Sequence, residues 1–288
     1  MRLVDDLVVS ARRSLRRAVY ASPAWRSALP EFIIVELPVG DSYLNESQIL
    51  RELGALVHWL GPVPVTITGS AIETPEVASI AVGLVRFARR SGAYVRFVVE
   101  DGLSQELCHQ IVRAGVDEVV VMLGSLEEEE HAEIVGGDLR SALDTVGNLR
   151  EARAGSGMKL VAAVVVSPKV KTSLRPLVGW ARQSHVDDVI VVPSRGSEGG
   201  SNVDLSGVSV DRVASSLRGN SWVGSVSKLP LAIKLAADGS LYVGRDTKLD
   251  SNEGGDLGYL WRASVAHRAE VRRQMIPFDE IDFALWSI

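Results

Sequence analysis

One stretch, residues 65–71, constrains the fold of this chain more than any other. Its sequence, VTITGSA, places β-branched residues before a glycine, and the pattern Glu73-Thr74-Pro75-Glu76 follows. A run of β-branched residues is typical of a buried strand. A threonine followed by a proline is typical of a helix N-terminus. A strand that passes through a turn into a helix is the repeating unit of parallel α/β barrels, in which functional side chains lie beyond the strand ends.

Similar units recur through most of the chain. Pro38 ends the first strand, and Asn45 is placed to cap the helix that follows it. Because consecutive parallel strands need helical crossovers, the pattern predicts an α/β fold built as a partial (β/α)6 TIM-like barrel. The predicted strands are 32–37, 65–71, 94–99, 118–123, 159–166 and 188–192.

The two ends of the chain differ from this middle part. Residues 1–30 are predicted to form an N-terminal helical segment, with apolar positions at helical spacing over 5–20. Residues 31–200 are predicted to form the barrel, which ends in a stretch rich in glycine and serine. Residues 201–288 are predicted to form a small hairpin-plus-helix extension, with helices at 210–217 and 257–274 and a hairpin that turns at Asp238-Gly239.

Composition excludes several classes of function. The net charge of -5 gives no reason to expect a nucleic-acid partner. The single cysteine, Cys108, excludes a disulfide framework and a cysteine-only metal site made by this chain alone. The sequence contains no apolar run of about 18 residues, so we expect a cytoplasmic protein without a membrane partner.

The order of these pieces resembles the radical-SAM superfamily, whose partial (β/α)6 barrel binds a [4Fe–4S] cluster and S-adenosylmethionine. Residues 65–69 are similar to the second strand of the family, and residues 114–125, AGVDEVVVMLGS, resemble its fourth. Residues 131–137, HAEIVGG, have the histidine that follows this strand in the family, with Gly136-Gly137 in place of Arg-Gly. The C-terminal hairpin resembles the SPASM or twitch region, with Gly244 near the position of a cysteine of that region.

The sequence departs from the family pattern at the residues that bind the cluster and S-adenosylmethionine. The CxxxCxxC motif should follow the first strand, where residues 38–43, PVGDSY, contain no cysteine. The family's second strand ends in Gly-Gly-Glu, whereas this one ends in Gly69-Ser70-Ala71, so the carboxylate that holds S-adenosylmethionine is absent unless Glu73 replaces it. The resemblance thus implies a degenerate relative that binds no [4Fe–4S] cluster. Retention of S-adenosylmethionine as a regulator is a third, weaker hypothesis.

Polar residues that follow the strands are the candidate ligand-binding residues, because the strand ends of a parallel barrel meet at one mouth. They comprise Ser70, Glu73, Glu100, Asp101, Lys169, Lys171 and Arg195. Arg195 opens a glycine-rich stretch that is interpreted as a domain linker, with a phosphate loop as the alternative. No catalytic residue and no metal ligand is assigned.

Two other groups have a structural and a functional interpretation. Cys108 lies beside Leu107 and Ile111 on a predicted helix, which indicates a core residue rather than a reactive thiol. Glu127 and His131 share a helix face and could bind a metal, but the surrounding glutamates indicate a solvated, acidic helix start.

The leading hypothesis is a catalytically inactive radical-SAM-like subunit. It would pair with an active radical-SAM protein, which carries the cluster and S-adenosylmethionine, and would bind or present a substrate peptide or cofactor precursor. The alternative is a repurposed barrel enzyme that binds an anionic or phosphorylated small molecule at the C-terminal face of the strands.

Overall fold

A computed structural model describes residues 30, 32–38, 45–69, 72, 74–100, 102–166, 174–193, 232–243 and 247–249. The predicted helices at 5–20, 210–217 and 257–274 lie outside these residues. None of the described helices combines the length and the apolar composition that crossing a bilayer requires. In chain order the elements are β1 (Phe32–Glu36), α1 (Glu46–Leu60), β2 (Val65–Gly69), α2 (Pro75–Arg90), β3 (Val95–Val99), α3 (Gln105–Ala114), β4 (Glu118–Leu123), α4 (Glu128–Val135), α5 (Leu139–Ala152), β5 (Lys159–Val166), α6 (Leu174–Gln183), β6 (Asp188–Pro193), β7 (Ala232–Leu235), β8 (Leu241–Val243) and β9 (Thr247–Leu249).

The described strands form one sheet in the order β6-β5-β4-β3-β2-β1-β7-β8-β9. Strands β1 to β6 pair parallel to their sequence neighbours, which confirms the predicted α/β partial barrel. The C-terminal hairpin extends this same sheet, because β7 pairs parallel to β1 and β8 pairs antiparallel to β7. A further short strand, β9, was not predicted; its three residues, TKL, are too few to show an alternating pattern.

Side chains in the turns fix where the helices begin. Asn45 and Gln48 form a capping box, in which each side chain accepts a hydrogen bond from the backbone N–H of the other at 3.0 Å. Thr74 caps α2 and Ser104 caps α3, each by accepting one backbone hydrogen bond through its side-chain oxygen. These caps satisfy N–H groups that have no partner inside the helix. The predicted cap at Asn45 is therefore confirmed.

Two aspartates secure the starts of strands in a repeated manner. Asp117 precedes β4 and accepts a hydrogen bond from the N–H of Val95 in β3 at 2.8 Å. Asp187 precedes β6 and accepts one from the N–H of Leu160 in β5 at 2.7 Å. The two aspartates lie in similar sequences, GVDEV at 115–119 and HVDDV at 185–189. Each carboxylate therefore joins the start of its own strand to the neighbouring strand.

The two faces of the sheet have different roles. Ile33, Ile67 and Phe97 pack with the helices in the main core and are fully buried. Because side chains alternate along a strand, the residues between them, such as Ile34 and Val98, lie on the opposite face. We refer to this second face as the inner face. It is the face that a barrel would enclose, and it holds the polar groups described below.

Candidate functional site

The C-terminal edge of the sheet, where the parallel strands end, is the predicted place for ligand binding. Glu100 lies there, directly after β3, and is half-buried. The other predicted site residues lie outside the described part of the chain: Ser70, Glu73, Asp101, Lys169, Lys171 and Arg195. Their convergence on one mouth therefore stays a prediction.

Glycines allow two segments to pack tightly against this edge. A Cβ atom added at Gly69 would lie 2.6 Å from the Cβ of Leu37, and one added at Gly124 would lie 2.8 Å from the Cβ of Ile134. Both distances are shorter than carbon atoms tolerate, so a side chain at either position would force the segments apart. The ends of β2 and β4 thus need glycine for the chain to pass over them.

Helix α4 covers the apolar half of the inner face. Its residues Ile134 and Val135 pack against a small cluster on β3, β4 and β5. The members of this cluster are Val98, Val120, Val161 and Ala163, all buried. Packed side chains therefore exclude a ligand from this half. On the half formed by β1, β2 and β7, Ile34, Thr66 and Thr68 are buried as well, and the Glu36 side chain is 34% exposed.

His131 attaches α4 to the end of β4. It is fully buried, and its Nδ1 accepts a hydrogen bond from the N–H of Gly124 at 3.2 Å. Its Nε2 has no hydrogen-bond partner within the described ranges. Burial lowers the pKa of His131, although the charge of Asp138 acts in the opposite direction. The imidazole is thus held neutral as a structural acceptor.

The predicted interpretation of this helix start holds for the glutamates but not for the histidine. Glu127 is exposed at the N-cap of α4, whereas His131 is buried one turn later. Nowhere in the described chain do three or more His, Cys, Asp or Glu side chains form a group that could hold a metal ion.

A closed ionic cluster lies on the inner face where β3 and β4 begin. Glu118 accepts hydrogen bonds from Tyr94 Oη at 2.8 Å and from Arg96 Nε at 2.6 Å, so both of its oxygens are used. Burial, followed by the charge of Glu118, raises the pKa of Tyr94. Burial also raises the pKa of Asp188, and Glu118 adds to that shift. Glu118 is buried with both oxygens bonded, and Tyr94 and Arg96 are partly buried, which is the character of a structural element.

A second ion pair lies on the inner face where β1 meets the hairpin. Lys234 Nζ lies 2.9 Å from Glu36 Oε1, and the same ammonium lies 5.1 Å from the centre of the Tyr242 ring. The side chain of Glu36 is 34% exposed and that of Lys234 is 18% exposed. Thr68 is the register partner of Glu36 on β2. This pair is open to a ligand in a way that the Glu118 cluster is not.

Three charged residues of the inner face were not predicted as site residues, although each leaves a signal in the sequence: Glu36, Arg96 and Lys234. Each is a charged residue inside an otherwise apolar strand, in FIIVE, VRFVV and AIKL respectively. A charge is tolerated at such a position when it has a partner, so these residues imply partners on neighbouring strands. The identity of the partners depends on which strands pair, which local sequence does not show.

A cavity of about 550 Å³ opens among the helices of the outer layer. Residues of α2 and α3 line it, with Glu46, Arg86 and Glu106 as its charged groups. Its volume suits a small molecule, but it carries more negative than positive side chains and lies outside the barrel. It therefore does not favour an anionic ligand.

Radical-SAM proteins bind an iron–sulfur cluster, but this chain lacks the cysteine ligands that such a cluster needs. A [4Fe–4S] centre with one open iron needs three thiolates, and Cys108 is the single cysteine of the chain. Its side chain is fully buried in the core beneath α3, and burial raises the pKa of the thiol to about 12. A protonated thiol in the core is not a metal ligand.

No protein-family model and no curated protein matches this chain. Solved structures of similar fold do exist. SuiB from Streptococcus suis is 11% identical with a TM-score of 0.58, over 86% of this chain and 69% of that one. SuiB bound to its precursor peptide SuiA is 11% identical with a TM-score of 0.56, over 81% and 65%. The structure of anSMEcpe with bound AdoMet is 11% identical with a TM-score of 0.54, over 80% of each chain.

These neighbours are radical SAM enzymes, and at such low identity the similarity shows the fold alone. The chain spans 64% of SuiB in the S-adenosylmethionine complex. The fold of this chain is therefore radical-SAM-like.

Proposed function

We propose that this chain is a catalytically inactive subunit that pairs with an active radical SAM enzyme and binds or presents the substrate of that enzyme. The substrate is a peptide or a cofactor precursor. In the complex, the partner carries the [4Fe–4S] cluster and S-adenosylmethionine, and this chain binds neither of them.

One combination of observations carries the proposal. The chain has a radical-SAM-like fold, yet its single cysteine lies protonated in the helix-side core. A barrel without thiolates cannot start radical chemistry, but it keeps an inner face on which a ligand can bind. Pairing with a chain that does hold a cluster gives such a barrel a role.

A peptide is the ligand class with the most support. A structure of SuiB, whose fold is similar, contains a precursor peptide. In the present chain, α4 covers the apolar half of the inner face, and the remaining half carries Glu36 and Lys234. Charged groups spaced along strands are suited to binding the side chains of an extended peptide selectively.

Co-purification from the native host tests the pairing. The chain is tagged and isolated without oxygen, and mass spectrometry and iron analysis are applied to what accompanies it. We expect a stoichiometric partner that contains CxxxCxxC and iron. A chain that is isolated alone and free of iron would contradict the pairing.

Cluster reconstitution tests the inactive assignment. The purified chain is incubated with iron and sulfide under anaerobic conditions, and a Cys108→Ser variant serves as the control. We expect no stoichiometric [4Fe–4S] absorption from either protein. A stoichiometric cluster on the unmodified chain would show that it is not a degenerate member.

The second candidate is a barrel enzyme that acts on an anionic or phosphorylated small molecule. The contact between Lys234 and Glu36 favours it, because an adjacent lysine and carboxylate can serve as acid and base. A thermal-shift screen with phosphorylated metabolites tests this function. Stabilisation that disappears in a Lys234→Met variant is the expected result, and the absence of any stabilising metabolite would exclude it.

A further inference from the structure

We propose that Glu36 forms a subsite on the inner face that binds the cationic side chain of a lysine or arginine in a peptide. The inference rests on the proposed function in one respect, that the ligand is a peptide. It assigns to that peptide a chemical requirement and a position on the sheet.

Glu36 has unused hydrogen-bonding capacity. A carboxylate has two oxygens that can each accept more than one hydrogen bond. Lys234 donates to Oε1, and Oε2 accepts no hydrogen bond from the residues that the structure describes. Glu118 on the same face has both oxygens bonded, to Tyr94 and Arg96. The unfilled carboxylate is thus the one that a ligand can use.

Exposure shows which member of the pair a ligand would meet. The side chain of Glu36 is 34% exposed, against 18% for Lys234, whose ammonium also lies over the Tyr242 ring. The accessible group is therefore an acceptor with negative charge. It selects a donor with positive charge, and a guanidinium or ammonium is the side-chain group that meets this condition.

Lys234 acts as a positioning residue in this subsite. It holds one oxygen of Glu36 and joins β1 to β7, so the second oxygen is oriented by the sheet rather than by a mobile side chain. Thr68, which carries a side-chain hydroxyl, lies opposite Glu36 on β2. A cationic group bound to Oε2 would have this hydroxyl as a second, neutral acceptor.

The location also agrees with a ligand that enters from the mouth. Glu36 is the last residue of β1, at the C-terminal edge of the sheet. The half of the inner face to which it belongs is the half that α4 does not cover. The net charge of -5 attracts a cationic peptide over a longer range.

Ligand-detected NMR tests the subsite without any partner protein. Saturation transfer from the full chain is measured to Nα-acetyl-L-arginine methylamide, to its lysine analogue and to its glutamate analogue. We expect transfer to the two cationic probes and little to the glutamate probe. No transfer to any probe, or stronger transfer to the glutamate probe, would overturn the proposal.

Variants separate the subsite from a structural ion pair. Glu36→Gln is expected to weaken binding of the arginine probe about tenfold, the size of one charge-assisted hydrogen bond. Thr68→Val keeps the ion pair and is expected to weaken binding by a smaller factor, so the test remains valid if Glu36→Gln loses structure. Glu106→Gln on the outer helix α3 is the control and is expected to leave binding unchanged. Equal binding by all four proteins would refute the assignment.

Agmatine distinguishes a peptide site from a site for a free small cation. It carries the guanidinium without the peptide groups, so a peptide subsite should bind it more weakly than the capped arginine. Equal or tighter binding of agmatine would overturn the peptide assignment. Because these measurements use the chain alone, they can fail while the partner is still found by co-purification, and the reverse is also true.

Discussion

Lys234 Nζ lies 2.9 Å from Glu36 Oε1, although the two residues are 198 positions apart in the chain. The contact joins the C-terminal hairpin to the first strand of the barrel on the inner face. It exists because β7 pairs with β1, with Lys234 opposite Ile34 and therefore one pleat from Glu36. A single pairing thus creates both a structural connection and a partly exposed carboxylate on that face.

Lys234→Met should lower the free energy of unfolding by about 1 kcal/mol, the upper range for a partly exposed ion pair. Arg51→Met is the matched control, because Arg51 and Glu52 form a pair on the surface of α1, with the Arg51 side chain 73% exposed. That substitution should change stability by less than about 0.5 kcal/mol. Denaturant titration measures the free energy of unfolding of both variants. Equal losses would mean that the pair on the inner face contributes no more to stability than the surface pair.

Glu118→Gln should lower the free energy of unfolding by about 3 kcal/mol, because it leaves the largely buried Arg96, whose side chain is 12% exposed, without a charged partner. Tyr94→Phe removes one hydrogen bond to the same carboxylate and should cost about 1 kcal/mol. The double variant tests whether the two effects are coupled. A loss below about 1 kcal/mol for Glu118→Gln would show that the cluster contributes little to stability.

Gly69→Ala and Gly147→Ala should act in opposite directions. A Cβ at Gly69 would lie 2.6 Å from the Cβ of Leu37, so the variant should lose about 1 to 3 kcal/mol through forced displacement. Gly147 lies inside α5, and an added Cβ has nothing within 4 Å. Alanine there should add up to about 1 kcal/mol through helix propensity. Thermal melts of both variants provide the comparison.

His131→Asn should reduce the dependence of stability on pH between 7 and about 5. Burial lowers the pKa of the folded histidine below its ordinary 6.5, so on acidification the unfolded chain takes up the proton first. The free energy of unfolding of the unmodified protein therefore falls through this window, and the variant lacks that component. Asp188, whose pKa is raised, is present in both proteins, so its effect cancels in the comparison. Parallel pH profiles would contradict this account.

Most of the secondary structure follows from local patterns. Short, nearly continuous apolar runs predict the strands. Asn45 and Thr74 predict helix starts, because a cap needs only the three or four residues after it. The parallel order of β1 to β6 follows as well, since short helical crossovers leave little topological choice. The resemblance to the radical-SAM fold added the identity of the barrel, which the structural neighbours support.

The contacts between charged residues on the inner face could not be predicted from local sequence patterns. Two ion pairs on this face depend on which strands pair and in which register: Glu36 with Lys234, and Arg96 with Glu118. The strands of the first pair are far apart in the sequence, and each strand is predicted without reference to its neighbour. The burial of His131 depends on how α4 turns back over the end of β4, a packing event rather than a property of the acidic run. Local sequence specifies which residues form an element, because those interactions span one turn or one pleat. The tertiary arrangement specifies which charges meet, because that depends on which elements pack together.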